Sequence, residues 1–425
     1  MTESFLHYLW QFQYFDKKEL KTTSGELVQV LHPGMRNTHA GPDFSDARIK
    51  IGPLEWRGSV EIHLAASGWM DHHHGDDAAY EKVVLHVVWE NDKPIVRSDG
   101  SAMPTLELKH RVDVSLWTKF RKLLVSSDSI PCSSSWSRVN EVVKLSMLDK
   151  VLAQRLEAKA TIVLSMFDKN QNDWEETSYQ LLCKNFGFKV NADSFLRLAE
   201  TLPFKILRKH INNATQVEAL LFGQAGFLEK VAQDEYSNLL KREYTLLGAK
   251  YNLENKQLHQ SQWRFLRLRP ANFPTIRLAQ LATVLIQNQS IFSSIIDTVS
   301  YDALYKRLAV QQSGYWQTHY QFGKPVERVP HLGKSSVQNL IINTAIPVLV
   351  AYGIRQDDPR YMERALDWLQ HLPAEQNTIT RQWSALDLKI KTAFDSQALI
   401  ELYNAYCLKR RCLDCTIGTS LVKPS

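Results

Sequence analysis

Residues 44–65 read FSDARIKIGPLEWRGSVEIHLA, two runs of alternating apolar and polar residues joined at Gly52-Pro53. A period of two puts Ala47, Ile49 and Ile51 on one face of the first run, opposite Arg48 and Lys50. In the second run it separates Val60, Ile62 and Leu64 from Glu61 and His63. With Gly-Pro supplying the turn, the pattern predicts an antiparallel hairpin. Its register matters for everything nearby, because a slip of one residue turns each polar side chain to the other face.

The flanking segments extend this hairpin into a domain. ESFLHYLWQFQYF (3–15) has apolar residues at helical spacing, and ELVQVLHPG alternates like a strand and stops at Pro33-Gly34. A short helix is expected around DDAAYEKV, followed by VVLHVVWE, whose few polar interruptions suit a central strand covered on both faces. A last strand, PTLELK, starts at Pro104. Beyond about Val112 the texture changes. SSDSIPCSSSWS reads as a serine-rich linker, and Leu145, Leu148, Val151, Leu152, Leu156, Ile162 and Val163 then mark one long amphipathic helix, the first of many. The expected fold class is α+β: a mixed sheet flanked by helices in residues 1–125, then a mainly α-helical region, 126–425.

A chain of 425 residues, 44% hydrophobic and 23% charged, has ample core and is neither disordered nor fibrous. No segment reaches the uninterrupted apolar length of a membrane span, and the N-terminus lacks the features of a signal peptide, so a cytoplasmic location is expected. The net charge of +6 permits contact with a phosphate backbone without requiring it.

Chemistry concentrates around the hairpin. If the runs pair about Gly52-Pro53, Asp43 comes close to the segment Glu61–His63, and two carboxylates there suit Mg²⁺ or Mn²⁺. Strict alternation, however, places Asp43 on the face of Ile49 and Ile51, opposite Glu61. A bend or bulge near Pro42 would bring Asp43 in; without one, Asp46 is the better ligand.

Pro42-Asp43 followed by Glu61-Ile62-His63, in the order helix, three strands, helix, strand, resembles the PD-(D/E)XK nuclease superfamily. The resemblance implies a nuclease-like fold, Asp43 and Glu61 on a divalent metal, a nucleic-acid substrate, and His63 where the motif usually has the lysine that positions the attacking water. Histidine can act as a base near neutral pH, and Lys50 on the neighbouring strand is an alternative amine. A nucleic-acid-binding protein that keeps the frame without catalysis is the competing expectation. GPDF, GSVEIH, LHVV and RPANFPTIRLAQLA also resemble an uncharacterised bacterial family along nearly the whole chain.

Three further groups carry chemistry. His72, His73, His74, Asp76 and Asp77 form either a metal-assisting loop, with His63 and His86 as further ligands for zinc, manganese or iron, or a solvated loop capping the next helix. His86 between valines also reads as a hydrogen-bonded core histidine. Cys407, Cys412 and Cys415 have a spacing suited to an iron–sulfur cluster or zinc, with Cys132 or Cys183 as the distant fourth ligand; three unligated thiols are the plainer reading. Arg264, Arg267, Arg269 and Arg277 surround a proline turn that opens a helix, an arrangement suited to nucleic-acid phosphate or to ion pairs between helices.

Overall fold

The computed structural model describes residues 1–424 except 38, 75, 76 and 230–233. Asp76 therefore lies outside the described residues. The chain forms two compact units: residues 1–149 with 401–425, and residues 150–400. The division expected after residue 125 thus falls later, and the terminal segment rejoins the first unit. Composition could not show that return.

The first unit is built on a mixed sheet. Its strands are β1 (Val28–His32), β2 (Met35–Arg36), β3 (Phe44–Ile51), β4 (Leu54–Ala65), β5 (Val83–Glu90) and β6 (Thr105–Glu107). The order is β1-β3-β4-β5-β6, with β2 also paired to β3. β3 and β4 form the expected antiparallel hairpin, while β4, β5 and β6 run parallel. All but the last two residues of β5 are buried, as its apolar run requires for a central strand. The helix α1 (Glu3–Phe12) buries Phe5, Leu6, Tyr8, Leu9 and Trp10; it stops short of Phe15 because Gln13 takes a left-handed conformation.

The hairpin departs from strict alternation at one point. Phe44 pairs with Val60 but Ala47 pairs with Gly58, so one extra residue sits in β3, and Asp46 has φ 55°. This bulge inverts the parity of everything before it. Phe44 joins the buried face of Ala47, Ile49 and Ile51, and Asp43 turns toward Glu61.

Between β4 and β5, where a helix is expected around 76–83, the described residues form only a single 3₁₀ turn, Ala78–Tyr80, capped by the Asp77 side chain. A four-residue helical turn, α2 (Gly68–Asp71), precedes it and buries Trp69. The serine-rich stretch is not an open linker. After α3 (Val114–Leu124), Ile130, Cys132 and Trp136 are buried around a 3₁₀ helix, Ser133–Arg138. The terminal residues are tied to this unit through Arg36–Asp414 at 2.8 Å and through Lys119, whose Nζ donates to the Lys423 carbonyl at 3.1 Å.

The long amphipathic helix is α4 (Glu141–Lys169). Leu148, Val151, Leu152, Leu156 and Val163 are buried, but Leu145 and Ile162 are exposed. Residues 150–400 are mainly helical. Lys334–Gln356 is one continuous helix of 23 residues, long and apolar enough to cross a membrane, contrary to the reading of the sequence; most of it is buried in the unit. A π-helical turn, Ile341–Ala345, accommodates Pro347 within it. There Asn343 accepts a hydrogen bond from Lys159 at 2.8 Å.

Candidate metal centre

Asp43 and Glu61 meet where the β3–β4 ladder ends. Glu61 Oε2 accepts the Asp43 amide at 3.1 Å, and Asp43 Oδ2 accepts the Ile62 amide at 3.0 Å. His7 on α1 places Nε2 3.1 Å from the same Asp43 oxygen. Asp46, on the bulge, is exposed, and so is Lys50, which pairs with Glu55 near the hairpin turn. Neither joins Asp43. Lys50 shares the face of Glu61, but its pairing with Glu55 places it six positions along β4 from Glu61, so it supplies no amine to this cluster.

Parallel pairing of β4 with β5 sets Glu61 beside His86 and His63 beside Val88. His63 Nδ1 lies 2.9 Å from His86 Nε2, and His63 Nε2 lies 3.2 Å from His72 Nδ1. His74 Nε2 is 3.3 Å from Glu61 Oε1, and His63 Nε2 is 3.7 Å from that oxygen. One donor atom from each of His63, His72 and His74 lies within 4.8 Å of the other two. His73 has φ 57° and points out of this group, exposed.

Local packing explains the convergence. Gly68 lies so close to the His63 ring that an added Cβ would stand 2.8 Å from Cδ2, so the segment leading to His72 and His74 can pass directly over β4. Tyr80 stacks on His74 with centroids 3.8 Å apart, and Trp69 meets both His74 and His86. Trp69 is thus a packing residue, while Trp56 is 43% exposed. A cavity of about 320 Å³ adjoins the His74–Tyr80 pair and is also lined by Asp77, Arg97 and Met103.

Electrostatics favour neutral imidazoles facing a carboxylate. Burial, with His86, His74 and His72 nearby, holds the His63 pKa down to about 3. Burial and His74 hold His86 down to about 4, and burial lowers His74 as well. Burial and the neighbouring Asp43 push Glu61 up to about 8. A cation reverses the penalty on Glu61 and takes the lone pairs of neutral imidazoles.

The donor set fits such a cation. Ligands about 2.0–2.1 Å from a tetrahedral metal are about 3.3–3.5 Å from one another, close to the separations around Glu61 Oε1. His74 Nε2 is buried and has no hydrogen-bond partner among the described residues. Imidazole-rich sets suit zinc or iron better than magnesium.

The cysteines form a second group in the same unit. Cys132, Cys407, Cys412 and Cys415 are all buried. Burial raises the Cys132 thiol to about 12, with Cys415 and Cys412 adding to the shift; Cys407 is raised by burial and by the other three. Arg410, at φ 53°, donates to the carbonyls of Ser126 and Asp128, tying the terminal segment to the loop before Cys132. Cys183 lies apart, fully buried in the helical unit against Tyr179.

The arginines divide. Arg264, Arg267 and Arg269 are exposed, whereas Arg277 is only 8% exposed and is not a surface contact for a polymer. His7 and Arg97 had no signal linking them to the site: a lone histidine in an apolar helix, or an arginine in a loop, carries no spacing pattern.

The fold and the cluster define an α+β protein with a candidate metal centre on its N-terminal sheet. The chain belongs to the family described as protein of unknown function (DUF2851), whose model matches residues 3–378. No curated protein and no solved structure matches it.

Proposed function

We propose that this chain is a metal-dependent hydrolase whose centre is held by His63, His72, His74 and Glu61, and that it cleaves phosphodiester bonds in DNA or RNA. The observation that carries the reading is the convergence of three imidazole nitrogens within 4.8 Å, with Glu61 Oε1 beside His74 and His63. The donor set argues for zinc, iron or manganese over the Mg²⁺ expected from two carboxylates alone. A bound ion would supply Lewis acidity and a more acidic water. Within the protein, His86 orients the His63 ring, Tyr80 orients His74, and Asp43, held by the Ile62 amide, is the carboxylate that would receive the proton of the attacking water. Support for a nucleic-acid substrate is the resemblance in motif and element order to PD-(D/E)XK nucleases, together with the exposed Arg264, Arg267 and Arg269 as phosphate contacts. We also assign Cys132, Cys407, Cys412 and Cys415 as ligands of an iron–sulfur cluster or zinc with a structural role.

The second reading, a nucleic-acid-binding protein without catalysis, draws on the position of Lys50 outside the Asp43–Glu61 cluster. Metal analysis combined with cleavage assays separates the two. The hydrolase reading expects one Zn²⁺, Mn²⁺ or iron per chain and cleavage of DNA or RNA that is lost with a chelator and in His74→Ala. Bound metal with salt-sensitive nucleic-acid binding but no cleavage selects the second reading. If no divalent metal binds, the centre itself is wrong.

A further inference from the structure

In the helical unit, the 3₁₀ turn Pro270–Asn272 leads into the helix Pro274–Gln287, and Arg277 lies in the first turn of that helix. Its guanidinium donates to Gln280 Oε1 at 2.8 Å, Asn272 Oδ1 at 2.6 Å and Ser336 Oγ at 3.4 Å, and lies 4.2 Å from the centroid of the Phe188 ring. Every one of these partners is neutral. Among the described residues no carboxylate pairs with Arg277, and its Nε is buried with no hydrogen-bond partner.

Buried charge without a counter-charge is costly, and a guanidinium brings five N–H donors that must be satisfied. Burial alone lowers the Arg277 pKa, to about 10, which leaves the group cationic at neutral pH. Side-chain dipoles from Gln280, Asn272 and Ser336 offset part of the cost; they supply no negative charge.

The same guanidinium lines a cavity of about 280 Å³, together with Phe188, Asn191, Asn272, Ser335 and Ser336. A second cavity of about 470 Å³ shares Phe188, Ser335 and Ser336 with the first and is also lined by Gln338 and Asn339. Together they have the dimensions of a small-molecule site, with the Arg277 guanidinium at one end and amides with the Glu375 carboxylate at the other. Ser335 and Ser336 belong to the first turn of the 23-residue helix Lys334–Gln356, which starts at Gly333 without a capping side chain. That end of a helix favours negative charge.

We propose that this double cavity is a binding site for a small organic oxyanion, a phosphate monoester or a carboxylate, whose charged group pairs with Arg277 and whose polar remainder sits between Ser335 and Asn339. The enclosure of Arg277 excludes a nucleic-acid backbone and separates this site from the exposed arginines. It does not depend on the metal centre of the first unit.

The test is calorimetric titration of the full chain with inorganic phosphate, acetate and a nucleoside monophosphate in turn, the three arms distinguishing phosphate from carboxylate and a bare ion from a larger ligand. Saturable binding of at least one oxyanion, at one per chain, is expected, weakened about tenfold or more in Arg277→Gln. Ser335→Tyr, which fills the shared mouth from an exposed position, should abolish binding of the nucleoside monophosphate in a folded protein, so the test does not hang on the stability of Arg277→Gln. Absence of saturable binding to all three probes overturns the proposal. So does binding that is unchanged in both variants.

Discussion

Asp43 and Glu61 hold each other across the hairpin: Glu61 Oε2 accepts the Asp43 amide, and Asp43 Oδ2 accepts the amide of Ile62, the residue after Glu61. Two carboxylates are thereby fixed at the ladder end by backbone donors. Burial, and after it the neighbouring Asp43, push the Glu61 pKa up to about 8.

This arrangement distinguishes Asp43 from Asp46. Asp43→Ala should lower bound metal and destabilise the unit by about 1–3 kcal/mol, the usual cost of stranding a buried donor. Asp46→Gly should retain metal and gain up to about 1 kcal/mol, because glycine adopts a left-handed conformation without strain. Thermal unfolding and metal content of the two variants decide the matter; loss of metal in Asp46→Gly alone would reverse the assignment.

Gly68→Ala tests the packing that brings the histidine segment over β4. The added methyl would meet the His63 ring at 2.8 Å, so the ring or the segment must shift. Overpacking of this kind costs about 1–3 kcal/mol. Zinc affinity should fall in parallel, since His63 and His72 are the ligands displaced. Unchanged affinity would mean that the ring is not held in place for metal.

The four cysteines are expected to bind metal together. Protein purified without oxygen should contain iron with sulfide, or zinc, and Cys132→Ser and Cys412→Ser should each lose it. Cys183→Ser should not, because that thiol lies against Tyr179 in the helical unit. Equal metal content in wild type and Cys132→Ser would leave the cluster as unligated thiols.

Glu218 gives a pH dependence in the other unit. It accepts hydrogen bonds from Tyr236 at 2.7 Å and Ser313 at 2.6 Å, yet burial still raises its pKa above the ordinary 4.5. A raised pKa means that the folded state binds the proton more tightly than the unfolded chain. Its contribution is therefore complete below about pH 4.5 and declines as pH rises through the folded value. Denaturant unfolding across that range should show the stability difference between wild type and Glu218→Gln shrinking as pH increases. A difference that grows with pH would contradict this sign.

The alternation around Gly52-Pro53 determined the hairpin, the apolar run VVLHVVWE determined a central strand, and helical spacing determined the body beyond it. Each of these is local: a period of two or 3.6 is set by backbone geometry and survives in any context. Sequence also put Asp43, Glu61, His63 and the histidine loop on neighbouring elements. What tertiary structure alone decided was which of them meet. One inserted residue in β3 chose Asp43 over Asp46, since pairing register, not composition, sets which face a side chain takes; Lys50 stays outside because it pairs with Glu55, far along β4 from Glu61. Parallel pairing of β4 with β5 brought His86 to His63, and α1 delivered His7 to Asp43. The same holds for Cys132 and Arg277: a serine-rich stretch became a buried anchor, and an arginine that read as a phosphate contact or an ion pair between helices was closed over by Phe188 and Ser336, distant in sequence. Burial depends on what the rest of the chain packs against a residue, and no local pattern records that.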